Sequence, residues 1–180
     1  MAEPHAHDPA FVITEHDHGQ GEGAAPVTLV EYGDFECPYS REAVKTVHAL
    51  QREFGHDLRF VFRHFPLANK HSHAVQASEA AEAAAAQGKF WKMYATLFAH
   101  QWELEYRYLM DYAAELGLDR VQFGEALNKH RYLDRVRADV GSGRQHGVTG
   151  TPTFFVNGRR QNGDADVRAL AVAIRNVLKV

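Results

Sequence analysis

The stretch Asp34-Phe35-Glu36-Cys37-Pro38-Tyr39-Ser40 carries the single thiol of the chain. A cysteine set between the end of a strand and the start of a helix meets backbone N–H groups that have no intrahelical acceptor, together with the positive end of the helix dipole. Both favour thiolate over thiol, and the thiolate is the form that attacks sulfur. The neighbouring residues meet this requirement. A β-rich run precedes Cys37, and Pro38 suits the first position of a helix, where its missing N–H would have had no acceptor anyway. A lone cysteine can also be a small buried hydrophobe, but strand, turn, cysteine and helix-opening proline occurring together favour a nucleophile. Glu31 lies six residues upstream of Cys37. A carboxyl near a desolvated thiol can manage its proton, and a strand-end glutamate reaching solvent is the other reading of that position.

With one cysteine, no intramolecular disulfide can form, and the fold must stand on packing. At 180 residues the chain suits one domain, with room for an inserted subdomain. A formal charge of −3 with interspersed signs offers no basic face for nucleic acid and no polybasic membrane patch. No apolar segment approaches the length of a membrane span. Met1 to Gln20 contains no lysine, no arginine and no long apolar run, so the expected location is cytoplasmic; for a chain trimmed from a longer precursor it is extracytoplasmic.

The elements that must hold Cys37 are legible on either side of it. Residues 1–25 read as a flexible, His-rich polar tail in which Phe11-Val12-Ile13-Thr14 is a candidate short strand. Val27 to Tyr32 reads as a strand buried on both faces. The helix opened by Pro38 carries Val44, Val47, His48, Leu50 and Phe54 on one side, and Gly55 suits its C-terminal cap. Leu58 to Phe65 is a second strand, ended by Pro66, which implies a strand–helix–strand crossover. Residues 67–146 read as helical, with an alanine-dense stretch at Ala74 to Gln87 and bulky apolar residues from Phe90 to Phe98. Further helices are expected over Tyr106 to Leu116, Asp119 to Asn128 and Tyr132 to Gln145. Thr153 to Gly158 reads as a third strand ending in an Asn-Gly turn, Arg159 to Gln161 can pair back, and Val167 to Leu178 is amphipathic. The expected architecture is α/β: a core formed by residues 26–66 and 147–180, interrupted by a helical subdomain at 67–146.

Cys37-Pro38-Tyr39-Ser40 resembles the Cys-Pro-x-Cys site of the DsbA-like thiol–disulfide oxidoreductases, with Ser40 at the place of the second cysteine. Gly150-Thr151-Pro152-Thr153 resembles the cis-proline loop of the thioredoxin superfamily, and Phe62-Arg63-His64-Phe65-Pro66 is similar to a run of the bacterial DsbA-like branch. The resemblance covers about Ala25 to Val180. It implies a thioredoxin fold with a helical insertion and thiol–disulfide exchange on protein or peptide disulfides. It also implies a substrate-facing role for Pro38, Tyr39, Thr151 and Pro152. Pro152 would be the cis-proline, and the backbone of Thr151 would pair with a bound peptide or glutathione. Glu31 falls where that family keeps a buried carboxylate beneath the thiol.

Ser40 is the departure. A hydroxyl cannot resolve a mixed disulfide, so the reading is a monothiol route in which glutathione or another external thiol is co-substrate. Ser40 can still donate a hydrogen bond to the Cys37 thiolate. No resident cofactor and no structural metal are expected. A natural monothiol member, a Cys-to-Ser trap of a dithiol enzyme and a redox-silent relative all fit this motif. The competing functions are a peptide-binding, chaperone-like module of the same fold and a kappa-type glutathione transferase, which uses serine at the nucleophile position. His5, His7, His16 and His18 form two His-x-His pairs that read as a solvated tail. His71 and His73 read as loop decoration, and His64 as a strand residue with a satisfied hydrogen bond.

Overall fold

The computed structural model describes residues 11–162 and 166–179. The elements run β1 (His18–Gln20), β2 (Val27–Gly33), α1 (Pro38–Phe54), β3 (Leu58–His64), α2 (Ala74–Ala85), α3 (Phe90–Ala99), α4 (Tyr106–Glu115), α5 (Arg120–Asn128), α6 (Leu133–Gln145), β4 (Thr153–Val156), β5 (Arg159–Arg160) and α7 (Val167–Leu178). The strands form one sheet in the order β1-β3-β2-β4-β5. β1 is antiparallel to β3, β4 to β2, and β5 to β4. The α/β architecture expected from the sequence is the one observed, with all five consecutive helices α2–α6 lying between β3 and β4.

The chain forms two compact units. The first comprises the described residues up to Tyr32, Ala43–Arg63, and those from Pro152 onward. In β2, Val27, Leu29, Val30 and Tyr32 are all buried, as a strand covered on both faces requires. Ala43, Val47 and Leu50 form the buried stripe of α1, while His48, placed on that stripe by spacing alone, is exposed. Gly55 ends the helix at φ +49°, a backbone conformation that glycine adopts without penalty. Asn157 and Gly158, both at positive φ, turn β4 into β5. α7 packs on β4 through Leu170, Ala171 and Ile174. Its N-cap is Asp166, whose Oδ1 accepts the Ala169 N–H at 2.7 Å. Asp166→Ala is expected to lower stability by about 1 kcal/mol, read from the midpoint of a urea titration.

Within the segment expected to be a tail, the described residues hold a strand. Its strand is His18–Gln20, paired in register with Phe60 to Phe62, and not Phe11 to Thr14. Buried Arg63 accounts for the order of this segment: its guanidinium donates to both carboxylate oxygens of Asp17 at 2.7 and 2.9 Å, to the Val12 carbonyl at 2.7 Å and to the Tyr32 hydroxyl at 2.9 Å. A buried guanidinium needs such partners, and the upstream residues supply them. Phe11 stacks on Phe155, with centroids 4.7 Å apart. His16 and His18 thus belong to an ordered segment, whereas His5 and His7 lie outside the described residues.

The second unit comprises Gly33–Glu42 and His64–Thr151. α2 is its central helix and packs against α3, α4, α5 and α6. Ala77, Ala80, Ala81 and Ala84 are fully buried on it, and their small side chains let neighbouring helices approach closely. Two buried glutamates on the same helix are each paired with a histidine, Glu82 with His64 at 2.9 Å and Glu79 with His130 at 3.0 Å. The unit boundaries differ from a core of 26–66 and an insert of 67–146, because Gly33–Glu42, which contains Cys37, groups with the helices.

Candidate active site

Cys37 stands immediately before α1 and is 4% exposed. Its N–H closes the turn onto the Asp34 carbonyl at 3.1 Å, and its carbonyl accepts the Arg41 N–H, the first backbone bond of the helix. The helix start therefore presents its unbonded N–H groups on the side of the cysteine. The Sγ donates to the Thr151 carbonyl at 3.3 Å, across 114 residues of sequence. Pro38 and Tyr39 are exposed, Tyr39 at 73%, while Ser40 is fully buried. The Ser40 hydroxyl accepts the Asp34 N–H at 3.2 Å. That bond gives the Asp34 N–H, a buried donor, its partner, and a hydroxyl that accepts one bond keeps its own proton to donate.

The residues before Cys37 are tied to the helical unit by a dense polar network. Fully buried Asp34 accepts the Glu36 N–H and the Leu67 N–H, each at 2.8 Å, and pairs with His71 Nδ1 at 2.7 Å. Glu36 accepts the His73 N–H at 2.7 Å and faces His73 Nδ1 at 3.2 Å. Phe35 packs between Phe98 and Tyr94, with centroids at 4.9 and 5.9 Å. Gln101, in the segment joining α3 to α4, donates from Nε2 to the Phe35 and Cys37 carbonyls, each at 2.8 Å. The turn that presents the thiol is thus clamped by the β3–α2 loop, helix α3 and the α3–α4 loop.

A strand-borne turn, a cysteine at a helix start and a Thr-Pro loop meeting its sulfur describe a known kind of site. The thioredoxin family profile matches residues 13–176. The chain belongs to the thioredoxin family. Within that family its architecture is DsbA-like. The Wolbachia pipientis α-DsbA1 crystal structure superposes with a TM-score of 0.81 at 18% identity, covering 96% of each chain. A thioredoxin-like oxidoreductase from Silicibacter pomeroyi superposes with a TM-score of 0.82 at 25% identity, covering 93% of this chain and 95% of that one. Among curated sequences, the Na(+)/H(+) antiporter NhaA 1 of Salinispora arenicola is 48% identical over 163 residues. That match takes in 91% of this chain and 25% of the antiporter, so the chain spans about a quarter of the length of the curated relatives it matches.

In this thioredoxin-family chain the Cys37 Sγ meets the Thr151 carbonyl, the Ser40 hydroxyl meets the Asp34 N–H, and Pro152 leads from Thr151 into β4. Glu31 lies on β2 opposite Phe154 of β4. It is fully buried, and neither carboxylate oxygen has a hydrogen-bond partner among the described residues. Burial raises its pKa to about 8, which keeps it protonated at neutral pH and rules out the solvent-reaching alternative. The histidines read as loop decoration are part of the site's frame. A signal for them was present: Asp34-x-Glu36 and His71-x-His73 have the same spacing and pair in order. Gln101 carries no such signal, because a single glutamine in a helical region is ordinary. Of the aromatic residues on and just after α3, Phe90, Tyr94 and Phe98 are buried and Trp102 is exposed at 76%.

Proposed function

We propose that the chain catalyses thiol–disulfide exchange on protein or peptide disulfides by a monothiol route through Cys37. The observation that carries this reading is the 3.3 Å contact between the Cys37 Sγ, at the start of α1, and the Thr151 carbonyl, one residue before Pro152. The thioredoxin family membership supports exchange chemistry in general; the monothiol route follows from Ser40.

As a thiol, Cys37 occupies the Thr151 carbonyl. Loss of the proton removes that bond and leaves the carbonyl able to accept an N–H from an extended peptide. The thiolate then attacks one sulfur of the substrate disulfide. A new S–S bond forms to Cys37 as the substrate S–S bond breaks, and the other sulfur leaves as a thiolate. With serine at position 40, an external thiolate such as that of glutathione must attack the mixed disulfide. It bonds to the substrate sulfur and returns Cys37 as thiolate. Glu31, buried and protonated at neutral pH on the strand that leads to this turn, is the group that supports a role in holding a proton for the exchange. Ion transport, which the names of the longer relatives carry, is not part of this reading, because the matched quarter is the thioredoxin-type segment.

Incubation with glutathione disulfide followed by intact-mass spectrometry is the test. The expected result is one glutathione adduct on the wild type, removed by added glutathione, and none on Cys37→Ala. An unmodified wild-type protein would sink the redox reading. A second reading, a peptide-binding module without turnover, is favoured by the exposure of Tyr39 and Trp102. Peptide binding or aggregation suppression that survives alkylation of Cys37 would place it first.

A further inference from the structure

Gln101 is 2% exposed and lies outside every motif that marks the site. We propose that Gln101 is a positioning residue for Cys37, acting through the backbone carbonyls on either side of Glu36. The proposal rests on Cys37 being the exchange nucleophile.

The carboxamide has two N–H donors on one end and an acceptor on the other. Both donors are used, one on the Phe35 carbonyl and one on the Cys37 carbonyl, each at 2.8 Å. A reversed amide would set its oxygen against two carbonyl oxygens, so the orientation follows from the chemistry. The Oε1 is left buried with no partner among the described residues. Buried amides with a bare acceptor are uncommon, and what holds this one in place is its pair of donated bonds. The Cys37 carbonyl also receives the Arg41 N–H. It therefore carries two donors, which occupy both of its lone pairs.

Two effects on the sulfur follow. The peptide plane after Cys37 is fixed, and with it the direction of the Cα–Cβ bond relative to the N–H groups of the helix start. The donors also withdraw negative potential from the carbonyl oxygens nearest the thiolate. In a poorly hydrated site such dipoles act strongly. A mere tie between the turn and the helical unit would contribute to stability and leave reactivity alone, so the two roles are separable.

Gln101→Met keeps length and volume without donors, and Gln101→Glu keeps the shape but replaces donors by acceptors. The readouts are melting temperature and the rate of Cys37 alkylation by iodoacetamide across about pH 5 to 10, with glutathione disulfide as a second electrophile. Gln101→Met is expected to slow both reactions near neutrality by about tenfold and to move the alkylation profile toward higher pH; Gln101→Glu is expected to move it further. A folded Gln101→Met with an unmoved profile overturns the proposal, whether or not its melting temperature falls. Should both variants fail to fold, the wild type decides by NMR. The Gln101 side-chain amide protons are then expected to exchange slowly and to shift when Cys37 is capped by iodoacetamide, and a fast-exchanging amide indifferent to capping overturns it. A wild type that alkylates with the Gln101 dependence but forms no glutathione adduct would remove the redox reading and leave the positioning role standing.

Discussion

Ser40→Cys is expected to convert the protein into a dithiol oxidoreductase. Positions 37 and 40 span the first turn of α1, so their side chains lie at the same end of the helix. The Ser40 hydroxyl is buried and bonded to the Asp34 N–H, so the substitution exchanges one oxygen for sulfur in a packed, pre-shaped place. The wild type has an attacking sulfur and no resolving one, and turnover must wait for a second molecule. An internal resolving thiol acts at an effective concentration that an external thiol at millimolar levels cannot match. Mild oxidation of Ser40→Cys should remove about 2 Da from the intact mass, and insulin reduction should accelerate by at least about tenfold. The reduced variant should lose roughly 1 kcal/mol, because sulfur is a poor acceptor for the Asp34 N–H. A variant that stays fully reduced under oxidant, with no gain in exchange, would show that position 40 does not face the chemistry.

Glu31→Gln is expected to stabilise the fold, and more so as the pH rises. The sign follows from proton binding. Burial lifts the folded-state pKa of Glu31 to about 8 from the ordinary carboxylate value of 4.5. Below the lower value the residue is protonated in both states and contributes nothing. Between the two, the folded protein holds a proton that the unfolded chain has released, so stability falls with each step in pH. Above about 8 the penalty is complete. Glutamine has a similar shape and no charge to bury, so it removes this slope. The variant and the wild type should differ little near pH 5 and by several kcal/mol near pH 8 to 9, which corresponds to a rise in melting temperature of roughly 5 °C or more. Parallel thermal melts from pH 5 to 9 check it, and curves that stay a constant distance apart would mean that Glu31 does not titrate in this way. The same substitution removes the buried proton-holder, so slower exchange in the stabilised variant would tie Glu31 to the chemistry as well.

Much of the frame could be read before any coordinates, because it is written in local patterns. The Val27 to Tyr32 run is apolar on both faces and becomes a buried central strand. Pro38 suits the opening of a helix, Gly55 is suited to ending one, and Asn157-Gly158 is a hairpin turn at positive φ. Alternation, helical periodicity and turn chemistry depend on near neighbours, so they survive without the rest of the chain. Residue type alone also marks Cys37 as the candidate nucleophile and leaves no second thiol within these 180 residues to resolve its adduct.

The tertiary structure alone decided who touches Cys37. Its Sγ meets a carbonyl 114 residues away, and its own carbonyl meets an amide 64 residues away. No local pattern encodes such partners, because hydrogen bonding is specific only at contact distance and many polar residues are equally able to make it. The Ser40 hydroxyl followed the same rule: residue type marks it as a hydrogen-bonding group, and only the fold assigns it the buried N–H of Asp34 as a donor. The N-terminal segment shows the converse case. Its composition is that of a solvated tail, yet Asp17 and Val12 are held because a buried Arg63, far along the chain, requires their oxygens. Burial of a charge creates a demand that only the folded chain reveals, and distant polar residues are ordered by meeting it.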